Sequence, residues 1–205
     1  MSTTADIVMK VCLIGDPGVG KTSLIRRFVL DLFDDHYVTT IGAKVTKKEV
    51  QLDFPERDLH VNLGLMIWDV SGQKDYKIFH EIYLNGMEGA LVVADLTRQN
   101  TFSSLRSVLT MAERTGTDVP MAFLLNKADL AEPSPADLKE VRTMASQNAI
   151  PVLATSARTG MNVELAFHKL GRMLVEDWLR RRDAKAAPAA AGPGGVAGAA
   201  PSPQL

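Results

Sequence analysis

Gly15-Asp16-Pro17-Gly18-Val19-Gly20-Lys21-Thr22 follows the apolar run Val8-Met9-Lys10-Val11-Cys12-Leu13-Ile14 and opens a segment of helical period over 20–31. The octet satisfies G-x-x-x-x-G-K-[ST] between a strand and a helix, the setting that gives this spacing its physical meaning. Glycines let the backbone curl so that its N–H groups point inward at phosphate oxygens, and the helix N-terminus adds the positive end of its dipole. Lys21 can bridge the outer phosphates, and Thr22 offers a hydroxyl to Mg²⁺. The candidate contact residues run from Asp16 through Pro17, Gly18, Val19, Gly20, Lys21 and Thr22 to Ser23. An incidental glycine-rich turn would not account for both flanks.

Outward from this octet, apolar runs of strand length alternate with helical segments, the pattern of a βα-wound sheet buried on both faces. Six strands are expected, at 8–14, 43–52, 60–69, 89–95, 119–125 and 150–155. The second and third are joined only by a loop around Phe54-Pro55-Glu56-Arg57-Asp58, so they should form one antiparallel hairpin in an otherwise parallel sheet. Helices are expected at 20–31, 74–83, 99–114, 135–147 and 162–181; in the last, Val163, Ala166, Phe167, Leu170 and Leu174 make one apolar stripe. The fold class is α/β: a three-layer P-loop NTPase with a six-stranded, mostly parallel sheet, one antiparallel strand and helices on both faces.

The octet specifies phosphate and leaves the base open. Asn126-Lys127-Ala128-Asp129, closing the apolar strand Met121 to Leu125, addresses the base. A carboxylate there can accept from N1–H and the 2-amino group of guanine, whereas adenine offers no such pair of donors. Asp129 therefore selects guanine, Lys127 packs its stem along the ring, and Asn126 braces neighbouring loops. Thr155-Ser156-Ala157 presents a backbone N–H to the guanine oxygen, with Ser156, Ala157 and Arg158 as the candidate contacts. A P-loop ATPase or kinase fails on Asn126, Lys127 and Asp129.

With these motifs in order, residues 8 to about 180 resemble the Ras superfamily of small GTPases, most closely its Rab branch. Thr39-Thr40-Ile41-Gly42 resembles the first switch of Rab proteins, and Trp68-Asp69-Val70-Ser71-Gly72-Gln73 resembles the W-D-T-A-G-Q of the second. The resemblance implies that Phe33 meets guanine edge-on and that Tyr37 covers the phosphates. It implies that Thr40 ligates Mg²⁺ in the GTP state, Asp69 holds the ion through water, the Gly72 N–H bonds the γ-phosphate and Gln73 orients the attacking water. Mg²⁺ would thus be served by Thr22, Thr40 and Asp69, and catalysis by Gln73, Lys21 and Thr40. Both switches would be held by contacts that vanish with the γ-phosphate, converting hydrolysis into a change of shape. Effector, exchange and GTPase-activating proteins would bind through residues 33–45 and 70–83.

Several positions depart from the family pattern. Val70-Ser71 replaces Thr-Ala at the pivot of the second switch, which bears on switching rate. Pro17 stands beside the expected γ-phosphate, where its fixed φ and missing N–H stiffen the loop and its ring crowds an incoming arginine. Lys74-Asp75-Tyr76-Lys77 reverses the charge order of the usual Glu-Arg-Phe, so partners of other Rab proteins do not transfer to this chain. The hairpin near Phe54 is longer than the Rab pattern and is read as a longer turn in preference to a contact site. No arginine is placed by sequence to reach the phosphates from within the chain.

The 205-residue chain has room for one Ras-like GTPase domain, 1–182, and a tail, 183–205, whose Ala/Pro/Gly composition cannot offset its ordering entropy. A formal charge of −1 removes the electrostatic argument for nucleic acid or an anionic membrane. The sole cysteine, Cys12, lies in an apolar run and is expected to be a reduced core residue, consistent with a cytoplasmic monomer. No C-terminal cysteine offers a prenylation site and Ser2 stands where myristoylation needs glycine, so no lipid anchor is expected. The reading is a slow GTPase acting as a nucleotide-dependent switch. The alternative, motivated by Pro17, Val70 and Ser71, is a nucleotide-stabilised binding module with negligible turnover.

Overall fold

The computed structural model describes residues 3–33, 42–70 and 85–186. The expected helix at 74–83, the switch residues Tyr37, Thr40, Ser71, Gly72 and Gln73, the stretch Lys74 to Lys77, and the chain from 187 onward lie outside the described residues.

Six strands form one sheet: β1 (Thr3–Ile14), β2 (Ala43–Phe54), β3 (Leu59–Val70), β4 (Gly89–Asp95), β5 (Met121–Asn126) and β6 (Val152–Ala154), in the order β2-β3-β1-β4-β5-β6. β1 runs parallel to β3 and β4, β4 to β5 and β5 to β6, and β2 alone is antiparallel, on β3. Four α-helices lie among the described residues: α1 (Lys21–Leu30), α2 (Ser103–Thr115), α3 (Pro135–Gln147) and α4 (Val163–Ala186). One apolar cluster joins α1 and α4 to one face of the sheet, through residues such as Leu24, Leu65 and Phe167. A second joins α2 and α3 to the other face, through Leu105, Phe123 and Val141. β4 and β5 are buried at every position, as strands covered on both faces must be.

The structure departs from the sequence expectation mainly at one end of the sheet. β1 begins at Thr3 rather than 8, because Thr3 to Met9 pair with Leu59 to Leu65 on the lengthened β3. Polar residues at the start of β1 hide this extension from an apolar-run criterion, since one side of the strand stays exposed there. The turn of the long β2–β3 hairpin, 55–58, is exposed, while the strand ends beside it are packed. Phe54, Leu52, Leu59 and Val61 are buried in the same cluster as α4, and Arg172 of α4 lies over the Phe54 ring, 4.6 Å from its centroid, while donating to the Asp53 carbonyl at 3.1 Å. Gly171 lets the hairpin approach: a Cβ there would stand 3.1 Å from a Leu63 methyl. α4 runs to Ala186, past the expected end at 181, with Asp183 ion-paired to Arg57 at the hairpin tip at 2.8 Å. The helix expected at 99–114 opens with a 3-10 turn at Gln99–Phe102 before α2 begins.

Cys12 is fully buried and unoxidised, and burial pushes its thiol up to about 11 against the pull of Lys10. No helix among the described residues is long and apolar enough to cross a membrane.

Candidate functional site

Strand order reverses at β1, which has β3 on one side and β4 on the other, so a crevice opens beyond the carboxyl end of β1. The glycine-rich octet fills that position. Gly15 is buried against β4, where a Cβ would fall 2.2 Å from the Val93 carbonyl oxygen, and Gly20 has φ +101° with space for a Cβ blocked at 2.3 Å by the Asn126 amide nitrogen. Only glycine permits this approach and this φ. α1 starts immediately afterwards with no side-chain cap and no acid in its first turn, which leaves its amide groups and dipole directed at the loop.

Lys21 is 6% exposed and donates from Nζ to the Gly15 and Asp16 carbonyls at 2.7 and 3.0 Å. Burial lowers it to about 8, against the opposing pull of Asp69 and Asp16. A cation so placed, held by loop carbonyls, gains a counter-charge when an anion enters. Beside it the Thr22 hydroxyl donates to an Asp69 carboxylate oxygen at 2.5 Å, joining α1 to the end of β3. A hydroxyl and a carboxylate meeting next to the loop are hard oxygen donors, the set that suits Mg²⁺ shared between protein and phosphate.

Asn126, 1% exposed, connects three loops. Its Nδ2 donates to the Val19 carbonyl at 2.8 Å, and its Oδ1 accepts from Thr155 Oγ1 and the Ala157 N–H, both at 3.3 Å. Asp129 is exposed, with Oδ1 accepting from the buried Ser156 hydroxyl at 2.6 Å, so its carboxylate is oriented by the third loop. Lys127 adopts φ +66° and reaches Asp95. Phe33 is half-buried against the α1–α4 cluster, and Arg158 is exposed at the turn after Ala157. Of the expected site residues within the described chain, the structure thus gathers Asp16 to Ser23, Asp69, Asn126 to Asp129 and Ser156 to Arg158 around one mouth.

Three residues escaped the sequence reading. Asp95 ends β4 wholly buried, with Oδ2 contacting Lys127 Nζ at 2.7 Å and Arg98 Nε at 2.8 Å. Arg98 also donates to the Pro17 carbonyl at 2.9 Å, so an arginine of this chain holds the backbone of the phosphate loop. Arg27 of α1 donates to the Ala157 and Arg158 carbonyls at 2.9 and 2.6 Å and fixes the loop after β6. A buried acid ending a strand was the one available signal for Asp95.

A mixed sheet of this order with a lysine-bearing glycine loop at its switch point defines the P-loop NTPase class. Residues 10–176 match the Ras family. Human Ras-related protein Rab-31 is 35% identical over 167 residues, covering 81% of this chain and 83% of that protein. Human Rab-8B is 31% identical over 194 residues, 94% of this chain and 91% of its own length. The GTP-binding protein YPT1 of Saccharomyces cerevisiae is 33% identical over 177 residues, 86% and 83% of the two chains. The chain belongs to the Ras family, within its Rab branch. It is accordingly a small GTP-binding protein that hydrolyses GTP and acts as a molecular switch, and the alternative of a binding module without turnover is not supported.

Proposed function

We propose a division of labour among the residues of this GTPase. Asp16 to Ser23 wrap the phosphates, Lys21 neutralises the outer ones, and Asp129, Lys127 and the Ser156-Ala157-Arg158 turn hold guanine. Phe33 and Tyr37 flank the nucleotide. Thr22, Thr40 and Asp69 hold Mg²⁺, which when bound offsets charge on the phosphoryl group. The Gly72 N–H bonds the γ-phosphate, and Gln73 and the Thr40 carbonyl align water. The observation that carries this reading is Asn126, whose single amide ties the phosphate loop to both guanine loops.

Hydrolysis in this scheme is positional and electrostatic: Lys21 and the loop amides meet charge developing on the transferring group without reorganising. Effector, exchange and activating proteins engage residues 33–45 and 70–83. The GTPase domain spans residues 1–182, and the protein works as a cytoplasmic monomer. Base assignment is tested by Asp129→Asn, which replaces the double acceptor by a donor–acceptor pair matched to the extra carbonyl of xanthine. Competition binding should show GTP affinity lost and xanthosine triphosphate favoured; an unchanged preference for GTP would refute it.

A further inference from the structure

The Asp95 cluster lies outside every nucleotide motif, yet it joins two of them. Asp95 Oδ1 accepts from the Thr97 N–H and hydroxyl at 2.9 and 2.7 Å, while Oδ2 takes Lys127 Nζ and Arg98 Nε. Burial alone would raise this carboxyl; the hydrogen bonds from Lys127, Thr97 and Arg98 outweigh it and hold the group below its ordinary value. Asp95 is therefore an anion with a full set of donors, shared between two cations. Each cation leads to a different part of the site. Lys127 belongs to the base loop, and Arg98 extends its far nitrogen to the Pro17 carbonyl in the phosphate loop.

Pro17 has no N–H, so its carbonyl is the only backbone polar group by which the chain can hold that residue. The partner is a forked guanidinium, which spans a carboxylate and a carbonyl at once; an ammonium is a single point of charge. Arg98 and Pro17 are 81 residues apart, and the contact exists only because β4 runs beside β1.

We propose that Arg98 is a positioning residue for the GTPase reaction: rooted on Asp95, it holds the Pro17 carbonyl and sets the phosphate loop in the shape that receives the outer phosphates. The shared carboxylate couples this setting to Lys127 in the base loop. The inference rests on the reading that residues 15–22 receive those phosphates, with Pro17 at the γ-phosphate end. Arg98 is 40% exposed, so its removal leaves Asp95 paired with Lys127 and the fold intact.

The test uses full-length protein loaded with Mg²⁺ and GTP, GDP or GMP, and compares wild type, Arg98→Ala, Arg98→Lys and Lys21→Ala by nucleotide release, single-turnover hydrolysis and thermal unfolding. Arg98→Ala should release GTP roughly tenfold faster and hydrolyse it more slowly, the loss expected for a charged hydrogen bond at a partly exposed site. GMP, which lacks the outer phosphates, should be released within about twofold of wild type. Arg98→Lys should stay close to Arg98→Ala, because one ammonium cannot keep both partners. Equal acceleration for GMP and GTP, unchanged GTP release, or full rescue by lysine would each overturn the proposal. Coupling is read from a double-mutant cycle of Arg98→Ala with Lys127→Ala on GDP release. The double variant should exceed the product of the single effects by at least about threefold, since it strands Asp95 without a cation, and additivity would overturn the coupling. Lys21→Ala separates the two levels: if it retains wild-type GTP affinity, the phosphate-loop reading falls and the proposal with it.

Discussion

Asn126→Asp exchanges one amide nitrogen for oxygen at a position that is 1% exposed, and the structure specifies what that costs. The Oδ1 side keeps its two donors, Thr155 Oγ1 and the Ala157 N–H. On the other side an acceptor now faces the Val19 carbonyl oxygen at a separation set for a 2.8 Å hydrogen bond. The lost bond is worth about 1 kcal/mol, and the buried carbonyl left without a donor adds roughly 1–3 kcal/mol. Repulsion is relieved only if the phosphate loop moves away from the base loop or the carboxyl takes up a proton. The nucleotide-free protein should therefore lose about 2–4 kcal/mol of stability in urea denaturation. Nucleotide must draw the loop back, so GDP affinity should fall by about a hundredfold, the equivalent of ~2.7 kcal/mol. Calorimetric or fluorescence titration of the purified variant measures this. A variant that binds GDP within about threefold of wild type and unfolds at the wild-type urea concentration would refute the claim that Asn126 braces the site.

Four further outcomes are expected. Lys21, lowered to about 8 by burial, begins to lose its proton as pH rises through that value, whereas phosphate should restore its ordinary range; GDP affinity should be flat near neutrality and approach a tenfold fall per pH unit above about 8, a slope that Lys21→Ala abolishes in binding titrations. Under the proposed assignment of Gln73 to orienting water, Gln73→Leu should bind GTP as tightly as wild type yet slow single-turnover hydrolysis by at least about tenfold, because such a group acts in the transition state rather than the ground state. Phe54→Ala empties a side chain that is 1% exposed between hairpin and α4 and should cost about 3–5 kcal/mol in denaturant unfolding. Arg57→Ala removes only an exposed ion pair and should cost under about 1 kcal/mol; equal costs would show that the hairpin is held by charge rather than by apolar packing.

The sequence by itself determined the local chemistry of this protein. A loop that encircles phosphate needs glycines at contiguous positions with a lysine and a hydroxyl at the helix start, and a guanine pocket needs an acid at the end of a buried strand, so both are written as short words at Gly15–Thr22 and Asn126–Asp129. The six strands and the antiparallel hairpin were legible for the same reason, since apolar runs and a short connection are local signals. Only the tertiary structure decided which distant polar groups meet. Asn126 and Val19 are 107 residues apart, Arg27 and Ala157 are 130 apart, and Arg98 and Pro17 are 81 apart. Their pairing depends on which strands are neighbours at the carboxyl edge of the sheet, and no periodicity in the chain records it. The same holds for the hairpin: its length is visible in the sequence, but its role appears only once Gly171 and Arg172 bring α4 against Phe54 and Leu63, because burial is a property of the assembled layers and not of the segment.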